Sequence, residues 1–418
     1  MGQYDDEQDY EIDKEMGWAN GKKPPSPRRG PDYWQALLRT ARASSPLFRV
    51  FGRIWRAIAT VIFFPVISPL GYSRRFNAAG DMIIVKRNFV WRVVDGLLTR
   101  LILAPVILTV FLLAVVYAST HPRAVQAYST PDSIGVYYRR VNLVTTDQQR
   151  LTAWFLPPIR AEQVALDPES MMLQKWPAVV LCHGLGASQE QYLSLARTLH
   201  DIGFAVLMVD MRGQGESDRA AVTYGLRERL DVLAGVKFMR DTSYVDPGKV
   251  CVVGHDIGAN AALQAATLDS SITAVVADGL WLKFEDRARE VFTHPVSANG
   301  WTSGKLPTQW LAPLYTMTFE IAVRDQLNQM NPDAVVRNIR TQPVMFVARQ
   351  GTEYSPVADV MTLAADVGGT HEVIVDKQGE TESIDDQVAR FLVKATGWKG
   401  PTVRGSEHVR EMLKNKVK

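Results

Sequence analysis

Hydrophobic positions divide the chain into three regimes. Residues 1–56 show no sustained apolar period, residues 57–118 hold two apolar runs, and from Val141 short Val/Ile/Leu-rich runs alternate with helical periods. The runs VNLVTT and RLTAWFLPP predict an antiparallel pair, and AVVLCHG, FAVLMVD, KVCVVGH, ITAVVAD, PVMFVA and HEVIVD predict further strands. Between them QEQYLSLARTLHDIG, LRERLDVLAGVKFMRD, ANAALQAAT and SIDDQVARFLVKAT carry the helical period, the first with a Gly stop. The alternation predicts an α/β domain over residues 136–400, a mostly parallel sheet with helices on both faces. Residues 281–340, rich in Trp and loop residues, interrupt it and predict a short lid over the strand ends.

The run LILAPVILTVFLLAVVYA at 101–118 is 18 residues without a charge, which predicts a transmembrane helix. The run AIATVIFFPVIS at 57–68 is shorter and contains Pro65, so residues 57–100 read as an interfacial or juxtamembrane segment. Lys86, Arg87, Arg92 and Arg100 precede the long run, whereas only Arg123 lies within 119–138. The charge rule therefore puts the N-terminus in the cytoplasm and the α/β domain outside it, in the periplasm if the cell is bacterial. The run at 57–68 lies too far from the N-terminus for a cleavable signal.

Composition adds little to this picture, and charge distribution adds more. The chain has 418 residues, 46% hydrophobic and 22% charged, with formal charge +3, a balance that gives no argument for nucleic acid. Residues 1–15 carry seven acidic side chains and one lysine, a solvated tail by composition. From Lys22 to Arg56 nine Lys/Arg face only Asp32 and interleave with Tyr33, Trp34, Phe48, Phe51 and Trp55, which suits an anionic membrane surface or a solvated basic tail. Residues 401–418 form a second basic tail. Cys182 and Cys251 sit in Val-rich strands offset by about three residues, roughly 10 Å at strand rise and beyond disulfide reach.

Three motifs carry a resemblance. LCHGLGAS, VDMRGQGESD and YVDPGKVCVVGHDIGANAAL together resemble the oxyanion strand end, the turn after the next strand and the nucleophile elbow of the α/β-hydrolase fold, in its serine esterase and peptidase branch. The resemblance implies an oxyanion hole from backbone N–H groups near Leu185 and Ile257. It puts Asp256 in the nucleophile slot, Glu353 of RQGTEYSP in the acid slot and Glu380 of HEVIVDKQGE in the histidine slot, with Asp376 at a customary proline. A carboxylate nucleophile is known from the epoxide hydrolase and haloalkane dehalogenase branches, but those usually have Trp where this chain has Ile257.

Of seven histidines, none stands in the base slot: His183 and His255 lie in strand-end motifs, His200 ends a helix, His121 and His408 lie outside the domain, His294 is in the lid and His371 starts the last strand. Without a base, an alkyl ester on Asp256 would lack the roughly 10²- to 10⁴-fold help that hydrolysis needs. Three carboxylates converging on one site would raise a pKa, recruit a cation or stay apart. Their spacing implies no metal site, and no cofactor is called for. The expectation is a membrane-anchored hydrolase-like protein with a degenerate triad, serving as a binding or accessory subunit with protein partners in a membrane assembly. The alternative is an extracytoplasmic hydrolase of ester, epoxide or halide substrates with Asp256 as nucleophile. The lid residues Trp281, Phe284, Trp301, Trp310 and Tyr315 would serve either packing or an apolar pocket.

Overall fold

The computed structural model describes residues 72–76, 82–86, 88–158, 174–293, 311–323, 331–350, 355–376 and 383–400. The tails at 1–56 and 401–418 and the run at 57–68 lie outside the described residues, as do Glu353, Glu380, Trp301, Trp310 and His294. The chain divides into two units, Met1–Thr109 and Val110–Lys418.

In the first unit, β1 (Tyr72–Phe76) and β2 (Met82–Lys86) form an antiparallel hairpin with Tyr72 opposite Lys86. The apolar pattern alone had assigned no strands there, although the β-branched run of β2 and the intervening Gly80 are hairpin signals. The helix α1 spans Phe89–Thr120, beginning twelve residues before the uncharged run at 101–118. Hydropathy marks only the stretch free of charge, whereas helical backbone continues through Arg92, Asp95 and Arg100 because a charged side chain does not break a helix. Within it, Arg100–Thr120 is long and apolar enough to cross a membrane.

The second unit is built on an eight-stranded sheet. Its strands are β3 (Arg139–Val144), β4 (Arg150–Leu156), β5 (Trp176–Cys182), β6 (Ala205–Val209), β7 (Val245–His255), β8 (Ile272–Asp278), β9 (Val344–Arg349) and β10 (His371–Asp376). Their spatial order is β3-β4-β6-β5-β7-β8-β9-β10, with β4 antiparallel to both neighbours and β6 through β10 parallel. Every side chain of β5 and β6 is buried, as a central parallel strand covered on both faces requires. Cys251 pairs with Val179, three positions short of Cys182, so the two buried thiols stay apart.

Helices cover both faces. One face packs α3 (Glu228–Asp241), α4 (Ile257–Leu268), α7 (Pro332–Val336) and α8 (Val357–Ala365) through residues such as Val232, Val236, Leu263, Val336 and Val360. The other packs α2 (Leu193–Asp201) and α9 (Ile384–Thr396) through Leu195, Leu199, Phe391 and Leu392. Within 281–340 the described residues form α5 (Phe284–Thr293), α6 (Ala312–Val323) and α7. The crossover helix α8 was not among the predicted helices; its run VADVMTLAA is short and mostly apolar, leaving little period to read.

Chain order reverses at β5, since β6 pairs on one side of it and β7 on the other. The crevice beyond the carboxyl ends of β5 and β7 is therefore the switch point where open α/β sheets place their sites. Two glycines let α4 start there. A Cβ on Gly254 would lie 2.1 Å from the Gly258 carbonyl oxygen, and one on Gly258 would lie 2.2 Å from the Cys182 carbonyl oxygen, both impossible approaches. Gly258→Ala should accordingly lower the melting temperature of the detergent-solubilised chain by at least about 5 °C. Gly248→Ala, exposed and meeting only Asp246 Oδ1 at 3.5 Å, should leave it within about 2 °C.

Candidate functional site

Asp256 sits between β7 and α4 at φ 50° and ψ −114°, one of three non-glycine residues with positive φ among the described residues. A side chain held there carries strain of about 1–3 kcal/mol, which persists only where the surroundings fix it. Here the fixing is mutual. The Asp256 N–H donates to the Asp278 carbonyl at 2.9 Å, its own carbonyl accepts from the Ala259 and Asn260 N–H groups, and the flanking glycines close the turn. The turn exposes whatever side chain it carries toward the loop after β5.

That side chain is a carboxylate only 6% exposed. Its Oδ2 accepts the Leu185 N–H at 3.2 Å and the Arg287 Nη2 at 3.2 Å, the latter an ion pair buried on both sides. Its Oδ1 finds no hydrogen-bond partner among the described residues. Leu185 and Asp256 are thus brought together, and Ile257 follows directly as the first residue of α4. The resemblance put the oxyanion-hole donors at Leu185 and Ile257; the Leu185 donor holds the protein's own anion.

Sequence reasoning missed Arg287. It stands one turn into α5, and a chain of contacts from the elbow sets its position. Asn260 on α4 accepts the Trp281 N–H and donates to the Trp281 carbonyl, and Trp281 Nε1 donates to the Tyr224 carbonyl. Phe284 then packs edge-on against Tyr224 and Trp281, and the Arg287 guanidinium lies 6.0 Å from the Tyr224 ring centroid. Trp281, Phe284 and Tyr315 are all buried, so these three lid aromatics are packing residues that hold α5. A usable signal existed in FEDRARE, a helical run that follows a strand end and carries two arginines.

The histidines nearest the elbow are engaged elsewhere. His183 Nε2 accepts the Met211 N–H at 3.0 Å, which leaves Nδ1 to donate to the Gly184 carbonyl at 2.8 Å, so the ring is neutral. Burial pulls its pKa down against the pull of Asp210. His255 Nδ1 bonds Asp278 Oδ2 at 3.0 Å, and Arg349 grips the same carboxylate at 2.8 and 2.6 Å. Burial would raise the Asp278 pKa, but the His255 and Arg349 hydrogen bonds outweigh it and hold the group below its ordinary value. Asp376, at the customary proline, reaches Arg349 at 3.4 Å. His255, Asp278, Arg349 and Asp376 thus form one polar row across the carboxyl ends of β7 to β10. Among the described residues no group of three or more His, Cys, Asp or Glu could hold a metal ion.

The sequence and fold have counterparts. A model of the alpha/beta hydrolase family matches residues 179–412, more than half of the chain. The chain belongs to the alpha/beta hydrolase family. It is similar to YqkD of Bacillus subtilis (strain 168), 23% identical over 202 residues that make up 48% of this chain and 64% of that one. It is also similar to the membrane protein YNL320W of Saccharomyces cerevisiae, 25% identical over 36% of this chain and 48% of that one. The chain therefore spans less than two thirds of either relative. The Pyrococcus furiosus esterase PF2001 superposes with a TM-score of 0.51 at 20% identity, over 66% of this chain and 98% of the esterase, which shows a shared fold. As a family member this chain keeps the elbow and carries an aspartate at its tip.

Removing one partner of a buried ion pair strands the other. Arg287→Met should destabilise by about 3–5 kcal/mol, and the double variant Asp256→Asn/Arg287→Met should recover most of that loss. Thermal melts of the unaltered chain, Asp256→Asn, Arg287→Met and the double variant in detergent check this; additive losses would mean that the pair is not coupled.

Proposed function

We propose that this protein is a membrane-anchored member of the alpha/beta hydrolase family that does not turn over substrate and serves as a binding or accessory subunit of a membrane assembly. The observation that carries this reading is the Asp256 carboxylate held by the Leu185 N–H and by Arg287. An oxyanion hole works by stabilising charge that develops only in the transition state. A donor already bound to a resident anion has no such differential to offer, and an aspartate attacking an acyl group would give an anhydride. The engagement of His183 and His255 also supports the reading, since neither imidazole hydrogen-bonds Asp256 among the described residues.

The anchor is supported by the apolar helix Arg100–Thr120 and by the likeness to a yeast membrane protein. The basic flank before that helix supports a cytoplasmic N-terminus with the domain on the other side. The capacity to bind is supported by Oδ1 of Asp256. A buried carboxylate oxygen without a donor among the described residues favours a ligand or partner group that brings one.

The same oxygen favours a second reading. With Oδ2 held by a backbone N–H, Oδ1 is the oxygen left to attack, which would make the protein a hydrolase of epoxide or halide substrates through an alkyl ester on Asp256, or of ester substrates through an anhydride, either of which water then cleaves. Extraction of the native membrane in a mild detergent separates the two readings. The first expects a discrete complex with other chains and no turnover of p-nitrophenyl esters, epoxides or haloalkanes above buffer; a solitary, active species would overturn it.

A further inference from the structure

The helix α6 (Ala312–Val323, APLYTMTFEIAV) is mostly apolar, with Thr316, Thr318 and Glu320 as its polar residues. Its inner face, Ala312, Tyr315, Phe319 and Val323, is buried in the domain. Its outer face, Pro313, Met317 and Ile321, repeats at i, i+4 and i+8 and is exposed, Met317 by 56% and Ile321 by 66%. A helix at a water-facing surface normally turns polar residues outward, whereas this outer stripe is apolar, with half-buried Thr318 and Glu320 beside it.

What lies outside is indicated by α1. Ser119 Oγ and Tyr315 Oη share a hydrogen bond of 2.7 Å, and the Val222 N–H donates to the Thr120 carbonyl, so the last turns of α1 are fastened to the domain at α6. Leu112, Val115, Val116 and Thr120 are buried on one face of α1, over about 12 Å at helical rise. Arg100–Thr120 is 21 residues, about 30 Å long, which is about the thickness of a hydrocarbon core. The charged residues before it leave no room to slide the helix further through the bilayer. Read as a span, α1 brings the bilayer to its own last turns, which lie in the same unit as α6. Val110, Leu113 and Tyr117 of α1 are exposed as well.

We infer that the outer face of α6, formed by Pro313, Met317 and Ile321, lies in the headgroup and acyl boundary of the bilayer that α1 crosses. The inference rests on the membrane-anchored part of the reading above and is independent of whether the site turns over substrate. It puts the lipid surface one aromatic layer from the Arg287–Asp256 pair, since Phe319 packs on Phe284 at 4.7 Å within α5.

The full chain can report this directly. Cys182 and Cys251 are buried, so a thiol introduced by substitution labels selectively. Met317→Cys and Ile321→Cys would each carry an environment-sensitive fluorophore in vesicles of phosphatidylcholine and phosphatidylglycerol. Val106→Cys, exposed on α1, tests the anchor. Leu268→Cys, exposed at the end of α4 on the side of the strands' amino ends, is the aqueous reference. Nitroxide-bearing lipids should quench the Val106, Met317 and Ile321 probes at least about two-fold more than the Leu268 probe, which aqueous iodide should quench instead. Val106 quenched by lipid with Met317 and Ile321 behaving like Leu268 would overturn the inference and leave the anchor standing. Shielding of Met317 and Ile321 from both quenchers would mean a protein contact and would also overturn it. Val106 behaving like Leu268 would remove the anchor and the inference together.

Discussion

A carboxylate removed from water needs donors and opposite charge, and at Asp256 that need ties together parts of the fold that are far apart in sequence. The elbow supplies the position, the loop after β5 supplies an N–H, and α5 supplies a guanidinium. To hold that guanidinium in place, Asn260 fixes the chain at Trp281, and an aromatic layer of Tyr224, Phe284, Tyr315 and Phe319 supports α5 and α6. With serine at the elbow, Arg287 would be the group left without its anion at that position.

Elsewhere at the strand ends the same rule is met by other pairs. Arg212 binds Asp231 and Asp147 together, and a Cβ on Gly215 would fall inside the Asp210 carboxyl group, which instead accepts the Gln189 and Glu216 N–H groups. These explain why the turn motif DMRGQGES survives in a chain whose elbow residue differs: its charges and glycines build loops, and none of them needs to meet substrate. The row from His255 to Asp376 does likewise on the other side of the elbow. An intact set of fold motifs is therefore compatible with a site that performs no acyl chemistry.

Much of the sheet was legible because its strands are buried on both faces and read as continuous apolar runs, and because the glycines of GHDIG have to stand where two backbones touch. Asp256 and Leu185 were legible for the same reason, since motif spacing on rigid strand ends fixes backbone positions. Arg287 was not, because its place depends on how an irregular connection folds back over the sheet, a tertiary fact without local period. The hairpin of β1 and β2 and the first turns of α1 were missed because charge was used to bound the apolar segments, and charge does not end a helix. Glu353 and Glu380 lie outside the described residues, so the carboxylate cluster implied by the resemblance is not part of the described site.

The joint picture is of a hydrolase fold whose active-site turn carries a buried, paired anion and whose lid adjoins the end of an apolar helix. The central proposal is that Asp256 serves as a bound structural anion rather than as an attacking group. The most direct test incubates the full chain in H₂¹⁸O with esters, epoxides and haloalkanes and reads the mass of the peptide containing Asp256. Unchanged mass, with neither an adduct nor ¹⁸O in the carboxylate, is the result predicted; an alkyl adduct or ¹⁸O incorporation at Asp256 would contradict it.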